Sequence, residues 1–207
     1  MYYPISTPKI VQWLFPNYIW RFPFDTDKKI YLTFDDGPIP KVTPWVLKQL
    51  AQYNAQATFF CVGANVKKNQ EIYQQVLDAG HKVGNHTFNH LNGWASTTCD
   101  YLDNIEKCKD VVDSKLFRPP YGRLKPSQAR EIKKNYKIVM WDIIAGDFDS
   151  NLNGEMCLKN VLNNASNGSI IVLHDSKKSW DRLEYILPKI LDYYSKLGFA
   201  FVSIDPK

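Results

Sequence analysis

The chain has 207 residues, of which 44% are hydrophobic and 23% charged, a length and balance that suit one well-packed domain and exclude a disordered or low-complexity polymer. The formal net charge is +5, but lysines and acids are interspersed and no basic block tracks a nucleic-acid backbone. The four cysteines, Cys61, Cys99, Cys108 and Cys157, form no Cys-x-x-Cys pair and no dense framework, and as free thiols they fit a reducing compartment.

Residues 1–21 contain Ile10, Val11, Trp13, Leu14 and Phe15 but are interrupted by Pro4, Pro8 and Pro16. A signal peptide needs a basic start, an unbroken apolar run and a small-residue cleavage site, and that pattern is not read here. No stretch approaches the ~20 apolar residues of a membrane span. The expectation is a soluble, cytoplasmic monomer, with residues 1–27 as an extension packed on a domain formed by residues 28–207.

Residues 29–34 are β-rich and largely apolar and run into Asp35-Asp36-Gly37, a strand meeting a loop. Thr43 then offers a helix cap, Pro44 sits at the first helical position, and Trp45, Val46, Leu47, Leu50 and Ala51 give an apolar face. The alternation continues with a strand over 57–62, a helix over 71–79 closed by Gly80, and a strand over 81–85 that runs into His86-Thr87-Phe88-Asn89-His90. Ser96 is positioned to cap a helix whose stripe is Leu102, Ile105, Val111 and Val112. Leu116 and Phe117 lead into Arg118, and Pro126 opens a helix carrying Ala129 and Ile132. A strand over 136–144, a helix over 155–162, a strand over 169–173 ending at His174, a helix over 183–197 stopped by Gly198, and a strand over 199–204 complete the chain.

Strands alternating with helices at this spacing imply parallel pairing through right-handed crossovers. About seven such strands favour a barrel or strongly curled sheet, in which working residues gather at the C-terminal strand ends. Every polar cluster of the chain falls there.

Asp36, His86 and His90 supply one carboxylate and two imidazoles, a facial set that leaves positions for water and substrate on a divalent metal. A His-x-x-x-His pair alone is weak. What strengthens it is that His86, His90 and His174 all fall in strand-end clusters, with an Asp pair at another. Adjacent aspartates point in different directions, so Asp36 can ligate while Asp35 faces the attacking water as general base. Arg118 can pair with Asp35 and fix its orientation. Pro119-Pro120 presents Tyr121, whose amide could stabilise an oxyanion. His174 becomes a candidate general acid if a carboxylate orients it: Asp147 is the choice, with Asp142 and Asp149 close enough to compete.

Read together, Thr33-Phe34-Asp35-Asp36-Gly37, His86-Thr87-Phe88-Asn89-His90, Arg118-Pro119-Pro120-Tyr121-Gly122, Asp147-Phe148 and Leu173-His174-Asp175 resemble, in order, the five motifs of the polysaccharide deacetylase family, the carbohydrate esterases of family 4 with a NodB homology domain. The resemblance spans roughly residues 28–204. It implies a distorted (β/α)7 barrel, zinc or another divalent metal such as cobalt on Asp36, His86 and His90, and an N-acetylated or O-acetylated sugar as substrate, such as N-acetylglucosamine oligomers or peptidoglycan. It further implies Asp35 as base, Arg118 positioning it, the Tyr121 amide at the oxyanion, His174 as acid tuned by Asp147, and Leu173 lining the acetyl pocket. The fourth motif departs from the pattern, with Phe148 where the family usually has Trp, which keeps an apolar wall but loses the indole N–H.

Two other readings use the same residues. One is a metal-dependent amidase for a small non-sugar molecule. The other is a glycan-binding module without turnover, in which Tyr121, Trp94 and Trp180 stack on sugar rings. A module of that kind has no need of both Asp35 and His174 beside a metal site.

Overall fold

The computed structural model describes residues 3–23 and 26–205. Met1, Tyr2, Phe24 and Asp25 of the expected extension, and Pro206 and Lys207 of the expected domain, lie outside the described residues. In chain order the elements are α1 (Lys9–Leu14), β1 (Lys29–Asp35), α2 (Val42–Ala51), β2 (Thr58–Cys61), α3 (Gly63–Lys68), α4 (Gln70–Asp78), β3 (Lys82–Asn85), α5 (Thr98–Lys109), β4 (Leu116–Phe117), α6 (Pro126–Ile132), β5 (Lys137–Ile138), β6 (Ile143–Ile144), α7 (Gly154–Leu162), β7 (Ile170–His174), α8 (Trp180–Lys196) and β8 (Ala200–Phe201).

All strand pairings between these elements are parallel, in the order β5-β4-β3-β2-β1-β7-β6, with β8 added on β1. The sheet curls into the distorted barrel, and strand parity sorts its two faces. Ile30, Leu32 and Phe34 of β1, Phe59 of β2, and Ile171 and Leu173 of β7 pack outward against the helices. Phe60, Leu116, Val139 and Ile170 fill the interior with Ile204. Burial on both faces explains why β7 reads as an unbroken apolar run. The outer layer includes α8, whose Leu183, Ile186, Leu187, Ile190, Leu191 and Tyr194 recur at helical spacing and are all buried.

The expected single strand over 136–144 is two strands, β5 and β6, at opposite ends of the sheet. Residues 139–142 bend across the gap, with Val139 N bonding to Phe117 O at 2.8 Å on one side and Asp142 N to Ile170 O at 3.3 Å on the other. One stretch of chain thus supplies both edges and closes the barrel covalently. The N-terminal segment lines this seam: Ile144 N donates to Ile5 O, Thr7 N to Asp142 O, Ile19 N to Ile138 O and Met140 N to Ile19 O, all within 3.0 Å.

Two helix starts differ from expectation because the capping hydroxyl is used elsewhere. Thr43 lies inside α2, where its Oγ1 accepts from Ile39 N at 2.7 Å and donates to the buried carboxylate of Asp175. For α5 the cap is Thr97, accepting from Asp100 N at 3.2 Å, while Ser96 donates to Asn92 O. The last strand shortens to β8, after which Ile204 N bonds to Thr58 Oγ1 at 2.9 Å. No helix among the described residues is long and apolar enough to cross a membrane.

Candidate active site

The loops at the C-terminal ends of β1, β3, β4, β6 and β7 meet over a cavity of about 380 Å³. It brings together Asp35, Asp36, His86, His90, Tyr121 and His174, with Arg118 and Asp147 buried behind them. Asp35 and His174 are register partners on neighbouring strands, and Asp175 N bonds to Asp35 O at 3.1 Å.

The donor atoms of Asp36, His86 and His90 all lie within 4.8 Å of one another. Asp36 Oδ1 is 3.2 Å from His90 Nε2 and 3.9 Å from His86 Nε2, and it is a buried oxygen with no hydrogen-bond partner. His86 Nδ1 is 2.7 Å from Arg118 O; a carbonyl can only accept, so that nitrogen carries the proton and Nε2 presents its lone pair to the centre. Burial pushes the His86 ring down to about 4 and keeps it neutral, as a ligand must be. Burial works to raise the Asp36 carboxyl, but the imidazoles around it, His90 first, hold it well below the usual carboxylate range. Two nitrogens and a carboxylate oxygen converging with an orphaned acceptor form a group that could hold a divalent metal.

The backbone is bent to make this set. Asp36, Thr87, His90 and Tyr121 have φ of 82°, 61°, 55° and 60°, in the left-handed region that β-branched Thr rarely adopts. Strain of this kind persists where neighbours enforce it. Thr87 N bonds to Asn85 Oδ1 at 2.9 Å, Leu91 N to Thr87 Oγ1 at 2.9 Å, and Phe88 N to Asn104 Oδ1 on α5 at 2.8 Å. Asn65 Nδ2 on α3 holds Asp36 O at 2.7 Å.

Asp35 is held by Arg118, whose Nη1 is 2.7 Å from both Asp35 Oδ1 and Thr33 Oγ1. The same guanidinium donates through Nε to Val139 O and through Nη2 to Met140 O, and lies 4.1 Å over the Phe60 ring. Asp147 holds His174 with both oxygens: Oδ1 at 2.8 Å from Nδ1, and Oδ2 accepting from the backbone N–H at 2.7 Å. Burial opposes charge on this ring, but Asp147, with Asp36 and Asp35 beyond it, outweighs burial and raises it to about 9. The two competitors are occupied elsewhere: Asp142 accepts from Ile170 N and Ser169 Oγ at the far end of β7, and Asp149 accepts from Tyr3 Oη and Asn151 N.

Leu173 does not line the cavity. Side chains alternate along a strand, so with His174 facing inward Leu173 points outward and is buried under the helices, while Val172 takes the cavity position. Trp94 is also elsewhere, 60% exposed on a one-turn 3₁₀ helix, with its ring against Arg123 and Nε1 donating to Leu124 O. Trp180 packs edge-on against Trp45. Tyr121 is at the cavity, its hydroxyl 3.2 Å from His90 Nδ1. Phe148 stands edge-on to His174 at 5.2 Å and is backed by Tyr3 at 5.0 Å. Sequence reading missed Tyr3, Trp141, Ile144, Val172 and Lys178 in the lining; only Val172 had a signal, its position two before His174.

Residues 24–141 match the family described as Polysaccharide deacetylase. A peptidoglycan-N-acetylglucosamine deacetylase of Bacillus cereus is 37% identical, with 90% of each chain covered. A chitooligosaccharide deacetylase of Azorhizobium caulinodans is 36% identical over 70% of this chain and 73% of its own. Among solved structures, the Bc1960 peptidoglycan N-acetylglucosamine deacetylase superposes with a TM-score of 0.81 at 30% identity, over 96% of this chain and 95% of the other.

Proposed function

Since this chain belongs to the polysaccharide deacetylase family, we propose that it is a metal-dependent hydrolase that removes acetyl groups from N-acetylated sugars, with N-acetylglucosamine oligomers or peptidoglycan strands as substrate. The observation that carries this reading is the pairing of Asp35 and His174 in register on β1 and β7, on the same cavity as the Asp36, His86 and His90 donor set. A base and an acid flanking one point are what amide hydrolysis needs.

Asp36, His86 and His90 would hold the metal, and their nitrogen-rich set favours zinc. When bound, a divalent ion supplies a Lewis acid that polarises the acetyl carbonyl and makes water a stronger nucleophile at neutral pH. Asp35 takes the proton from the attacking water. Its Oδ1 is fixed by Arg118 at 2.7 Å, so the other oxygen is left to accept. Tyr121 contributes its backbone N–H at the developing oxyanion; the hydrogen bonds that close its turn use Gly122 N and Arg123 N instead. His174, protonated and oriented through Nδ1 by Asp147, gives a proton to the departing amine nitrogen. The C–N bond breaks, a C–O bond to the water oxygen forms, and acetate and a free amino sugar leave. Val172, Ile144 and Phe148 form the apolar wall against which the acetyl methyl packs.

The test is acetate release from N-acetylglucosamine oligomers before chelation, after chelation and after zinc is restored. Release that stops with chelator and returns with zinc is expected. Oligomer binding without acetate release would make the protein a binding module, and release from small amides alone would make it an amidase of another class.

A further inference from the structure

The other charged groups facing the cavity have partners in the machinery described above: Asp35 has Arg118, His174 has Asp147, and Asp36 sits among imidazoles. Lys178 lines the same cavity and is exposed. Among the described residues its ammonium meets no carboxylate; only its backbone carbonyl is engaged, by Arg182 Nη2. We propose that Lys178 selects the substrate, its ammonium receiving a carboxylate carried by the acetylated sugar or by the sugar next to it, so that acidic acetylated glycans are preferred over neutral ones. The inference rests on the deacetylase reading.

The position of Lys178 is fixed although its side chain is free. It lies on the turn between β7 and α8, four residues after His174. Ser179 N bonds to Ser176 O at 3.2 Å within that turn. Arg182 ties the turn to the loop that orients the acid: one guanidinium nitrogen holds Lys178 O and another, Nε, holds Asp147 O at 2.6 Å. The Lys178 Cα is therefore indexed to the same carboxylate residue that fixes His174. A four-carbon stem from that point gives the ammonium reach around the cavity mouth without a rigid geometry, which suits a charge on a sugar neighbouring the reacting one.

Apart from Ser176, whose hydroxyl donates to Ser179 Oγ at 3.2 Å, the remaining lining on this side is apolar or aromatic: Tyr3, Trp141, Ile144, Phe148 and Val172. A neutral sugar seated over it brings nothing to the ammonium and displaces some of its water, whereas a carboxylate replaces that water with an opposite charge. The consequence is discrimination by charge between two glycans of the same shape.

The matched pair for the test is a hyaluronan tetrasaccharide, with a uronate beside each N-acetylglucosamine, and the same tetrasaccharide with its carboxyls methyl-esterified. Steady-state acetate release is measured on both for the parent, Lys178→Met, Lys178→Glu and Lys178→Arg, and the quantity read is the acid-to-ester ratio of kcat/KM within each protein. At a solvent-facing site the ion pair should give the parent a ratio of about three to five, carried by KM and shrinking as salt is added. Lys178→Arg should keep it, Lys178→Met should bring it to about one, and Lys178→Glu should invert it. A Lys178→Met ratio equal to the parent's overturns the inference. So does a parent that treats acid and ester alike while releasing acetate from neutral N-acetylglucosamine oligomers, a result that leaves the deacetylase reading standing. Release from none of these substrates overturns both.

Discussion

Arg118 Nη1 stands 2.7 Å from Asp35 Oδ1, with 0% and 5% of the two side chains exposed. The guanidinium also donates to Thr33 on β1 and to the carbonyls of Val139 and Met140 on the chain that closes the barrel. Removing one partner of such a pair leaves the other buried and uncompensated, at a cost of about 3–5 kcal/mol. Arg118→Met should lose that much stability in urea unfolding. Arg118→Lys should not restore it, because an ammonium cannot span four acceptors on separate segments. A loss below about 1 kcal/mol for either variant would show that the bridge is not a structural tie.

Asp35→Asn should retain one equivalent of zinc and lose activity by about 10²–10⁴-fold, since an amide cannot take a proton from water. Metal content and acetate release, measured on the same sample, separate the two effects. Loss of metal in this variant would make Asp35 a ligand.

His90→Ala removes one of the two imidazoles facing Asp36, and a zinc titration should show affinity reduced by at least about tenfold, as losses around metal sites commonly give. An unchanged affinity would remove His90 from the ligand set.

The His174 ring, raised to about 9 from its ordinary 6.5, carries its proton below about pH 9 and loses it above. A general acid with that profile holds activity through neutral pH and loses it on the alkaline side. Asp147→Asn takes away the carboxylate that outweighs burial, so the ring pKa falls and the alkaline limb moves to lower pH. His174→Ala should drop the rate by about 10²-fold or more at every pH. An alkaline limb that stays in place in Asp147→Asn would exclude Asp147 from tuning the acid.

Leu173 and Val172 are one residue apart and should behave oppositely. Leu173→Ala opens a hole in the packed outer layer and should cost about 2–5 kcal/mol of stability with KM little changed. Val172→Phe should fill the wall of the cavity and raise KM or abolish turnover. Reversed outcomes would turn the strand over.

The polar clusters could be located from sequence because each follows an apolar run that ends in ionisable residues, and the ends of parallel strands meet in space. Parity on β7 was harder: with both faces buried the strand is apolar throughout, so hydropathy did not separate Leu173 from Val172, and only the offset of two residues from His174 pointed to Val172. The break in residues 139–142 was hidden for a related reason, since Ile138, Val139, Met140 and Ile143 are all buried and read as one run although they serve two edges. Thr43 and Ser96 looked like caps because a free hydroxyl before a helix usually is one; Thr43 is taken by Asp175, which the tertiary fold brings to it, and Ser96 by the carbonyl of Asn92, four residues back in the preceding turn. Tyr3 and Lys178 reach the cavity from more than a hundred residues apart in the chain, and no local pattern announces that.

The hydrogen bonds along the seam bear on what happens if the chain is shortened. The stretch matched to the family begins at residue 24, yet Ile5, Thr7 and Ile19 occupy backbone groups of Ile138, Met140, Asp142 and Ile144. A protein trimmed to start at 24 keeps Asp36, His86 and His90 and loses only Tyr3 from the cavity lining, but it presents bare donors and acceptors to any passing strand. The damage would therefore surface first as sticking between molecules, at concentration-dependent rates, while each surviving molecule still carried every charged group that faces the cavity.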